Sequence, residues 1–220
     1  MWPTAFPQGA GPLLLPGAAG AIDAVIEWSG DASRRGAVAV ICHPHPLHGG
    51  TMTNKVVTTT AQALREQGCA TLRFNFRGVG RSEGGHDEGR GEGDDLTAIC
   101  AWVRTTRPTA ALVLAGFSFG AYVSMMRAAA IRPDLLISLA PSVGRRDVDG
   151  FREPGCPWLV IQPDADEVVD PAEVYAWVGQ RHPAPTLLRF DGASHFFHGR
   201  LLALREAIAQ FAGPKLPPPA

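Results

Sequence analysis

Residues 115–121 read Ala-Gly-Phe-Ser-Phe-Gly-Ala and contain a G-x-S-x-G pattern centred on Ser118. An apolar run typical of a strand precedes the pattern at 110–115, and a run typical of a helix follows it at 121–130. A serine on a tight turn between a strand and a helix exposes its hydroxyl near the positive end of the helix dipole. Glycine two residues to either side leaves space where a side chain would clash with neighbouring backbone. The segment predicts a nucleophilic serine, and a purely structural turn is the competing interpretation.

Apolar strand-like runs alternate with helix-like runs along the rest of the chain. The predicted strands cover residues 22–28, 36–42, 70–76, 110–115, 135–139, 158–162 and 186–190, and the predicted helices cover 55–67, 94–107, 121–130, 171–178 and 199–211. Most strands are apolar throughout, which is typical of a mostly parallel sheet with helices on both faces. We therefore predict a single α/β domain over residues 1–220, with an irregular segment at 1–20 and a loose proline-rich tail at 213–220.

Composition and charge exclude several classes of protein. The net charge of the 220-residue chain is −1, so no basic surface for nucleic acid or an anionic membrane is indicated. No apolar run approaches the roughly 18 residues that cross a bilayer, and the N-terminus lacks the features of a signal peptide. We expect a cytoplasmic protein without a nucleic-acid or membrane partner, whose oligomeric state is not indicated. The four cysteines are far apart, and the first three lie in apolar stretches typical of buried thiols: Cys42, Cys69, Cys100 and Cys156.

A base for Ser118 is predicted after the strand at 186–190. Ligands bind beyond the carboxyl ends of the strands in parallel sheets, so reactive side chains are expected in the loops that follow strands. His195 lies in such a loop, and a serine hydroxyl needs an adjacent base to act as a nucleophile. A histidine on a surface loop without a catalytic role is the alternative.

An acid that orients the histidine is predicted after the strand at 158–162. This loop offers Asp164, Asp166 and Glu167, and Asp166 is the best placed on the turn. A solvated acidic loop or a helix cap is the alternative, although Asp170 is better placed as the cap of the next helix. The order serine, aspartate, histidine is the chain order of the triad in α/β-hydrolases.

The oxyanion of an acyl-transfer intermediate needs two amide donors. One is predicted to be the backbone N–H of Phe119, directly after the serine. The other is predicted in the loop after the strand at 36–42, where Pro44 and Pro46 have no N–H. His45 is therefore the first choice, and Leu47 is the second.

Two other kinds of site were considered. His43, His45 and His48 are close in sequence and suggest a metal site, but the intervening prolines restrict their convergence and no carboxylate is nearby. Gly78 and Gly80 follow a strand, but their spacing is not that of a dinucleotide-binding loop, and a tight turn is the better interpretation. No metal or cofactor is expected.

Several stretches together resemble the α/β-hydrolase superfamily over nearly the full chain, and are most similar to the small bacterial group related to dienelactone hydrolases. The resemblance implies Ser118 as nucleophile, Asp166 as acid and His195 as base, in agreement with the residues themselves. Dienelactone hydrolases use a cysteine nucleophile, so the serine argues against dienelactone chemistry. The matching stretches are His43-Pro44-His45-Pro46, Gly49-Gly50-Thr51-Met52, Asn54-Lys55, residues 74–82, 116–120 and 164–169, and Ala193-Ser194-His195.

The expected activity is hydrolysis of small or short-chain carboxylic esters through an acyl-enzyme. Residues 140–155 are too few for a helical cap, so an open, shallow site is predicted. Thioesterase, peptidase or acyltransferase activity on the same triad, and a non-catalytic binding scaffold, are the alternatives. Side chains considered for the walls, with core packing or a solvated loop as the alternative, are Phe117, Phe119, Phe196, Phe197, Lys55, Arg77 and Arg81.

Overall fold

Eight strands form one sheet in the order β1-β2-β4-β3-β5-β6-β7-β8. The computed structural model describes residues 2–28, 36–144 and 146–218. β1 and β2 pair antiparallel, β2 also pairs antiparallel with β4, and the remaining pairs are parallel. The strands are β1 Gly11–Gly17, β2 Gly20–Glu27, β3 Ala37–Cys42, β4 Ala70–Phe74, β5 Ala111–Phe117, β6 Leu135–Leu139, β7 Trp158–Pro163 and β8 Thr186–Phe190. The helices are α1 Lys55–Glu66, α2 Arg90–Thr106, α3 Phe119–Ile131, α4 Pro171–Val178 and α5 Leu201–Ala212, with 3₁₀ turns at Pro46–His48 and Gly213–Lys215.

Helices cover both faces of the sheet, as the apolar strands predicted. Val38 and Val40 of β3 belong to the hydrophobic cluster that contains α2, α3 and α4. Ala39 and Ile41, which point to the opposite face, belong to the cluster that contains α1 and α5. Every residue of β3 is therefore buried. No helix in the described part of the chain is long and apolar enough to cross a membrane.

The prediction that residues 1–20 are irregular was wrong for 11–17 and 20, whereas residues 2–10 contain no helix or strand. Gly11–Gly17 forms β1, an edge strand that pairs with β2 along its whole length. Pro12 and Pro16 are tolerated because an edge strand has one side that needs no backbone donor. The tail is also more ordered than predicted, since Gly213–Lys215 forms a 3₁₀ turn and Leu216 is buried in the core. Residues 219 and 220 lie outside the described residues.

Helix α2 begins at Arg90, one turn earlier than the predicted start at Asp94. The Glu92 carboxylate is fully buried and accepts hydrogen bonds from the backbone N–H groups of Asp87, at 3.0 Å, and Gly89, at 2.8 Å. These hydrogen bonds fix the chain that enters the helix. Glu92, which accepts them, lies between Gly91 and Gly93, and glycine disfavours helices. Propensity was therefore outweighed by a buried side-chain contact.

The connection between β5 and α3 is a sharp turn at Ser118. The backbone of Ser118 has φ 55° and ψ −114°, a conformation that costs energy for any residue other than glycine. Its N–H donates to the carbonyl of Leu139 at 2.8 Å, which ties the turn to β6. A Cβ atom at Gly120 would lie 2.5 Å from the carbonyl oxygens of Cys42 and His43, so the helix start and the end of β3 are in direct backbone contact.

The loop after β3 is fixed by the buried side chain of His43. Its Nδ1 donates to the carbonyl of Pro44 at 2.6 Å, and its Nε2 accepts from the backbone N–H of Phe76 at 2.9 Å. A carbonyl only accepts, so the proton lies on Nδ1 and the ring is neutral. Burial lowers the pKa of His43 from 6.5 to about 4. The imidazole therefore acts as a neutral bridge between two loops.

Replacing Gly120 by alanine is expected to lower the free energy of unfolding by about 2 kcal/mol or more, because the new methyl group overlaps two backbone carbonyls. Urea unfolding would measure the change. Gly85→Ala is the matched control, since a Cβ atom there meets no atom within 4 Å, and a change within about 0.5 kcal/mol is expected. Equal effects of the two variants would contradict the close contact at the turn.

Acidification is expected to destabilise the protein partly through His43. Because folding lowers the pKa of His43 from 6.5 to about 4, the unfolded chain binds more protons in that window, and stability falls as the pH falls through it. The contribution of this group between pH 7 and pH 5 is about 2 kcal/mol. Urea unfolding at both pH values should show that His43→Asn, although less stable at pH 7, loses about 2 kcal/mol less than the wild type on acidification. Equal losses would refute this assignment.

Candidate active site

The three residues predicted to form a triad follow three different strands at the same edge of the sheet. Ser118 follows β5, Asp166 follows β7, and His195 follows β8. The strands run parallel, so their carboxyl ends lie together. The arrangement is the one expected for a ligand site in a parallel sheet.

Asp166 and His195 form a buried hydrogen-bonded pair. The Nδ1 atom of His195 lies 2.8 Å from Oδ2 and 3.0 Å from Oδ1 of Asp166. The carboxylate also accepts from the N–H groups of Val168 and Val169, at 2.9 and 2.7 Å, and from the Gln162 amide at 3.1 Å. Burial acts to raise the pKa of Asp166, but the hydrogen bonds from His195 and the two amides outweigh it, and the pKa is lowered. Asp166 is therefore an ionised acceptor that orients the histidine.

The other two acidic residues of this loop have different partners. Glu167 accepts a hydrogen bond from the backbone N–H of His195 at 3.0 Å. Asp164 accepts from the hydroxyl of Tyr175. Asp166 is thus the one of these three carboxylates that contacts the His195 ring. Glu167 helps to hold the loop that carries the histidine. Asp170 caps α4 by accepting from the N–H of Ala172 at 2.8 Å, as predicted.

Ser118 and His195 are both buried but are not hydrogen-bonded to each other. The centroid of the Phe117 ring lies 4.9 Å from that of His195, and the Ser118 residue is buried, with 7% of its surface exposed. Within the described residues, the serine hydroxyl makes no hydrogen bond to the imidazole. Serine–histidine bonds in hydrolases are often long before substrate binds and tighten in the reacting complex.

Backbone donors are available beside the serine. Phe119 is the first residue of α3, so its N–H has no acceptor within the helix. The N–H of Leu47 donates to Nδ1 of His45 at 3.3 Å and is therefore occupied. The N–H of His45 takes part in no hydrogen bond within the described residues, which favours it over Leu47 as the second oxyanion donor.

The three neighbouring histidines are not arranged as metal ligands. Both ring nitrogens of His43 are engaged with backbone groups. The ring of His45 stacks on that of His48 with centroids 4.4 Å apart. Burial, together with the positive charge of Arg146, lowers the pKa of His45 to about 4, so its ring is neutral at pH 7. Across residues 2–28, 36–144 and 146–218, no group of three or more His, Cys, Asp or Glu residues is placed to hold a metal ion.

A cavity of about 240 Å³ lies beside Ser118. The described residues between β6 and β7 contain no helix, so no cap covers this side of the sheet. Ser142 and Arg146, which follow β6, are functional candidates that the sequence reasoning missed. Only their position after a parallel strand pointed to them. The cavity is lined by His45, His48, Ser118, Phe119, Ser142, Arg146, Val168 and Val169.

The basic residues considered from the sequence lie elsewhere. Arg77 is paired with the buried carboxylate of Asp95 at 2.7 Å, and Arg81 with Asp23 at 2.6 Å. Lys55 lines a separate cavity that also contains Phe196, which is 38% exposed. The first two arginines are therefore structural, and a charge contribution next to the serine comes from Arg146 instead. Of the other aromatic residues considered, Phe117 and Phe197 are core residues, whereas Phe119 lines the cavity.

Comparison with known proteins agrees with this architecture. The model of the Hydrolase_4 family, described as serine aminopeptidase, S33, matches residues 37–153, which is more than half of the chain. The matched segment includes Ser118 and ends before Asp166 and His195. An uncharacterized protein of Rickettsia prowazekii (strain Madrid E) is 32% identical over 185 residues, which are 79% of this chain and 77% of that protein.

Two solved structures are similar over nearly their whole length. A serine hydrolase without a lid from Xanthomonas campestris is 48% identical, with a TM-score of 0.94 over 98% of this chain and 99% of that one. An alpha-beta serine hydrolase homologue from Coxiella burnetii is 44% identical, with a TM-score of 0.87 over 94% and 99% of the two chains. The chain therefore belongs to the Hydrolase_4 family and is an α/β serine hydrolase.

Proposed function

We propose that this protein hydrolyses small or short-chain carboxylic esters through an acyl-enzyme on Ser118. The observation that supports the proposal most strongly is the buried Asp166–His195 pair, at the same sheet edge as a serine held on a strained turn. An ionised carboxylate on Nδ1 keeps the proton of the neutral ring on that nitrogen and leaves Nε2 free to act as a base. No metal or cofactor is needed for this chemistry.

The first half of the reaction forms the acyl-enzyme. His195 accepts the Ser118 proton on Nε2 as the serine oxygen attacks the ester carbonyl. The resulting oxyanion accepts hydrogen bonds from the N–H groups of Phe119 and His45. Asp166 stabilises the imidazolium through the hydrogen bond to Nδ1. When the carbon–oxygen bond of the ester breaks, the histidine gives its proton to the leaving alcohol.

The second half releases the acid. His195 removes a proton from a water molecule, which attacks the acyl-enzyme and forms a second oxyanion in the same place. Collapse of this intermediate returns the proton to Ser118 and frees the carboxylic acid. The same three side chains and two amides serve both halves, so one fixed geometry is sufficient.

The cavity favours an ester over an aminopeptidase substrate, although the family description names the latter. An aminopeptidase binds a free α-ammonium group, which requires a carboxylate near the serine. As far as the structure describes the chain, the residues that line the cavity beside Ser118 include no Asp or Glu, and their one permanent charge is the cation Arg146. The small volume and the absence of a cap among the described residues favour short substrates. Cys42, Cys100 and Cys156 are free thiols, which fits the cytoplasmic location that we propose.

Hydrolysis of p-nitrophenyl esters from acetate to palmitate is expected to be fastest with short chains. Ser118→Ala should lower kcat/KM by at least about 1,000-fold, because it removes the nucleophile. Asp166→Asn should cost about 1,000- to 10,000-fold, because an amide favours the wrong histidine tautomer. A spectrophotometric assay of p-nitrophenol release measures kcat/KM for both variants.

Asp164→Asn is the matched control, since this neighbouring carboxylate contacts Tyr175 and not His195. Its kcat/KM is expected to stay within about threefold of the wild type. Equal turnover by wild type and Ser118→Ala, or equal losses in the two aspartate variants, would contradict the proposed triad. If the enzyme turned over thioesters or amides but no ester, the proposed substrate class would change from esters to thioesters or amides.

A further inference from the structure

We propose that the cavity beside Ser118 binds an anionic group of the ester substrate, a carboxylate a few bonds from the scissile carbonyl, through Arg146 and Ser142. This inference rests on the proposed ester hydrolysis and adds the class of substrate. It follows from a cation that is already held in place, a hydroxyl without a partner, and walls that hold no carboxylate within the described part of the chain.

Arg146 is held in place by aromatic rings. Its guanidinium carbon lies 4.6 Å from the centroid of the Phe119 ring and 5.6 Å from that of Tyr122. The side chain is only 14% exposed. A planar guanidinium stacked on rings loses little further entropy when it binds a carboxylate. Because Phe119 directly follows Ser118, the cation is positioned relative to the reacting serine.

The guanidinium retains binding capacity. Nη1 donates to Oε2 of Glu88 at 3.2 Å, and its other nitrogens make no hydrogen bond within the described residues. Glu88 is largely solvent-exposed, with 63% of its side chain accessible, so this ion pair is screened by water. The hydrogen bond from Arg146 lowers the pKa of Glu88, which therefore stays ionised and fixes one side of the fork. A substrate carboxylate would take the opposite side.

Ser142 provides a donor on the same cavity. The residue is 6% exposed, and its buried hydroxyl has no hydrogen-bond partner within the described residues. A buried polar group without a partner destabilises the protein, so such groups often mark a place where a ligand completes the bond. An acceptor oxygen on the substrate would satisfy this hydroxyl.

Glu88, which pairs with Arg146, does not line this cavity, and the lining residues within the described part of the chain include no carboxylate. Val168 and Val169 are apolar, and the ring of His45 is neutral at pH 7 because burial lowers its pKa to about 4. Among the described residues that line the cavity, Arg146 is the one with a permanent charge. A cavity of about 240 Å³ whose walls combine apolar side chains with a cation suits a short hydrocarbon segment that ends in a carboxylate.

Two pairs of substrates test the proposal and locate the anion. The mono-p-nitrophenyl ester of glutaric acid, compared with p-nitrophenyl pentanoate, places the carboxylate on the acyl side. 4-Acetoxybenzoate, compared with its methyl ester, places it on the leaving group. In Arg146→Met, the ratio of kcat/KM for the anionic over the neutral member of one pair should fall by about 10- to 100-fold, as expected for a charge-assisted hydrogen bond.

Control variants separate a local contact from net charge. Arg152→Met removes the same charge from an exposed position outside the cavity, and its ratios should stay within about twofold of the wild type. Arg146→Lys should retain part of the preference, and Ser142→Ala should lower the ratio several-fold. The proposal would be overturned if the neutral esters were turned over and Arg146→Met changed the kcat/KM ratio of neither pair. The proposed esterase function would not be affected by that result.

A binding measurement does not depend on turnover. In the Ser118→Ala background, calorimetric titration with monomethyl glutarate should give a Kd that rises at least about tenfold when Arg146→Met is added. Dimethyl glutarate should show no such change. Absence of monomethyl glutarate binding, or binding that is indifferent to Arg146, would overturn the anion site. Absence of ester turnover with Arg146-dependent binding would instead overturn the proposed function.

Discussion

The close backbone contact between the start of α3 and the end of β3 is the constraint on which the site depends. Gly120 leaves no room for a side chain beside the carbonyls of Cys42 and His43, and Gly116 likewise lies against the carbonyl of Gly120. Between the two glycines, Ser118 is held at φ 55°. The strain at the serine is thus maintained by packing on both sides. The same contact brings the loop after β3 next to the serine, so one constraint positions both the proposed nucleophile and a proposed oxyanion donor.

Burial and fixed hydrogen bonds, more than exposed charges, set the protonation states of the side chains around this turn. His43 and His45 are kept neutral, each with a pKa lowered to about 4 mainly by burial. Asp166 is kept ionised by His195 and by two amides of its own loop. Neutral imidazoles near the proposed oxyanion amides preserve the backbone geometry over the neutral pH range, and the ionised Asp166 gives His195 the partner expected of a general base. The chemical difference between these histidines therefore comes from both their burial and their partners.

The sequence was sufficient for the parts of the fold that depend on local pattern. The bounds predicted for Leu135–Leu139 and Thr186–Phe190 are confirmed, because apolar runs between turn residues are a local signal. Gly11–Gly17 was missed because its prolines and glycines suggested irregular structure, whereas its strand character comes from pairing with the next strand, β2, which composition does not report. Arg146 and Ser142 were missed for a related reason. Their loop has no motif, and their place beside the serine is visible only once the sheet is assembled.

The most direct test of the proposed nucleophile and oxyanion donors is a crystal structure of the covalent adduct formed with diethyl p-nitrophenyl phosphate. We expect a bond between phosphorus and Oγ of Ser118, and a phosphoryl oxygen about 3 Å from the N–H groups of Phe119 and His45. Attachment at another residue would contradict the assignment of the nucleophile. Attachment at Ser118 with the phosphoryl oxygen turned away from these two amides would contradict the proposed oxyanion site.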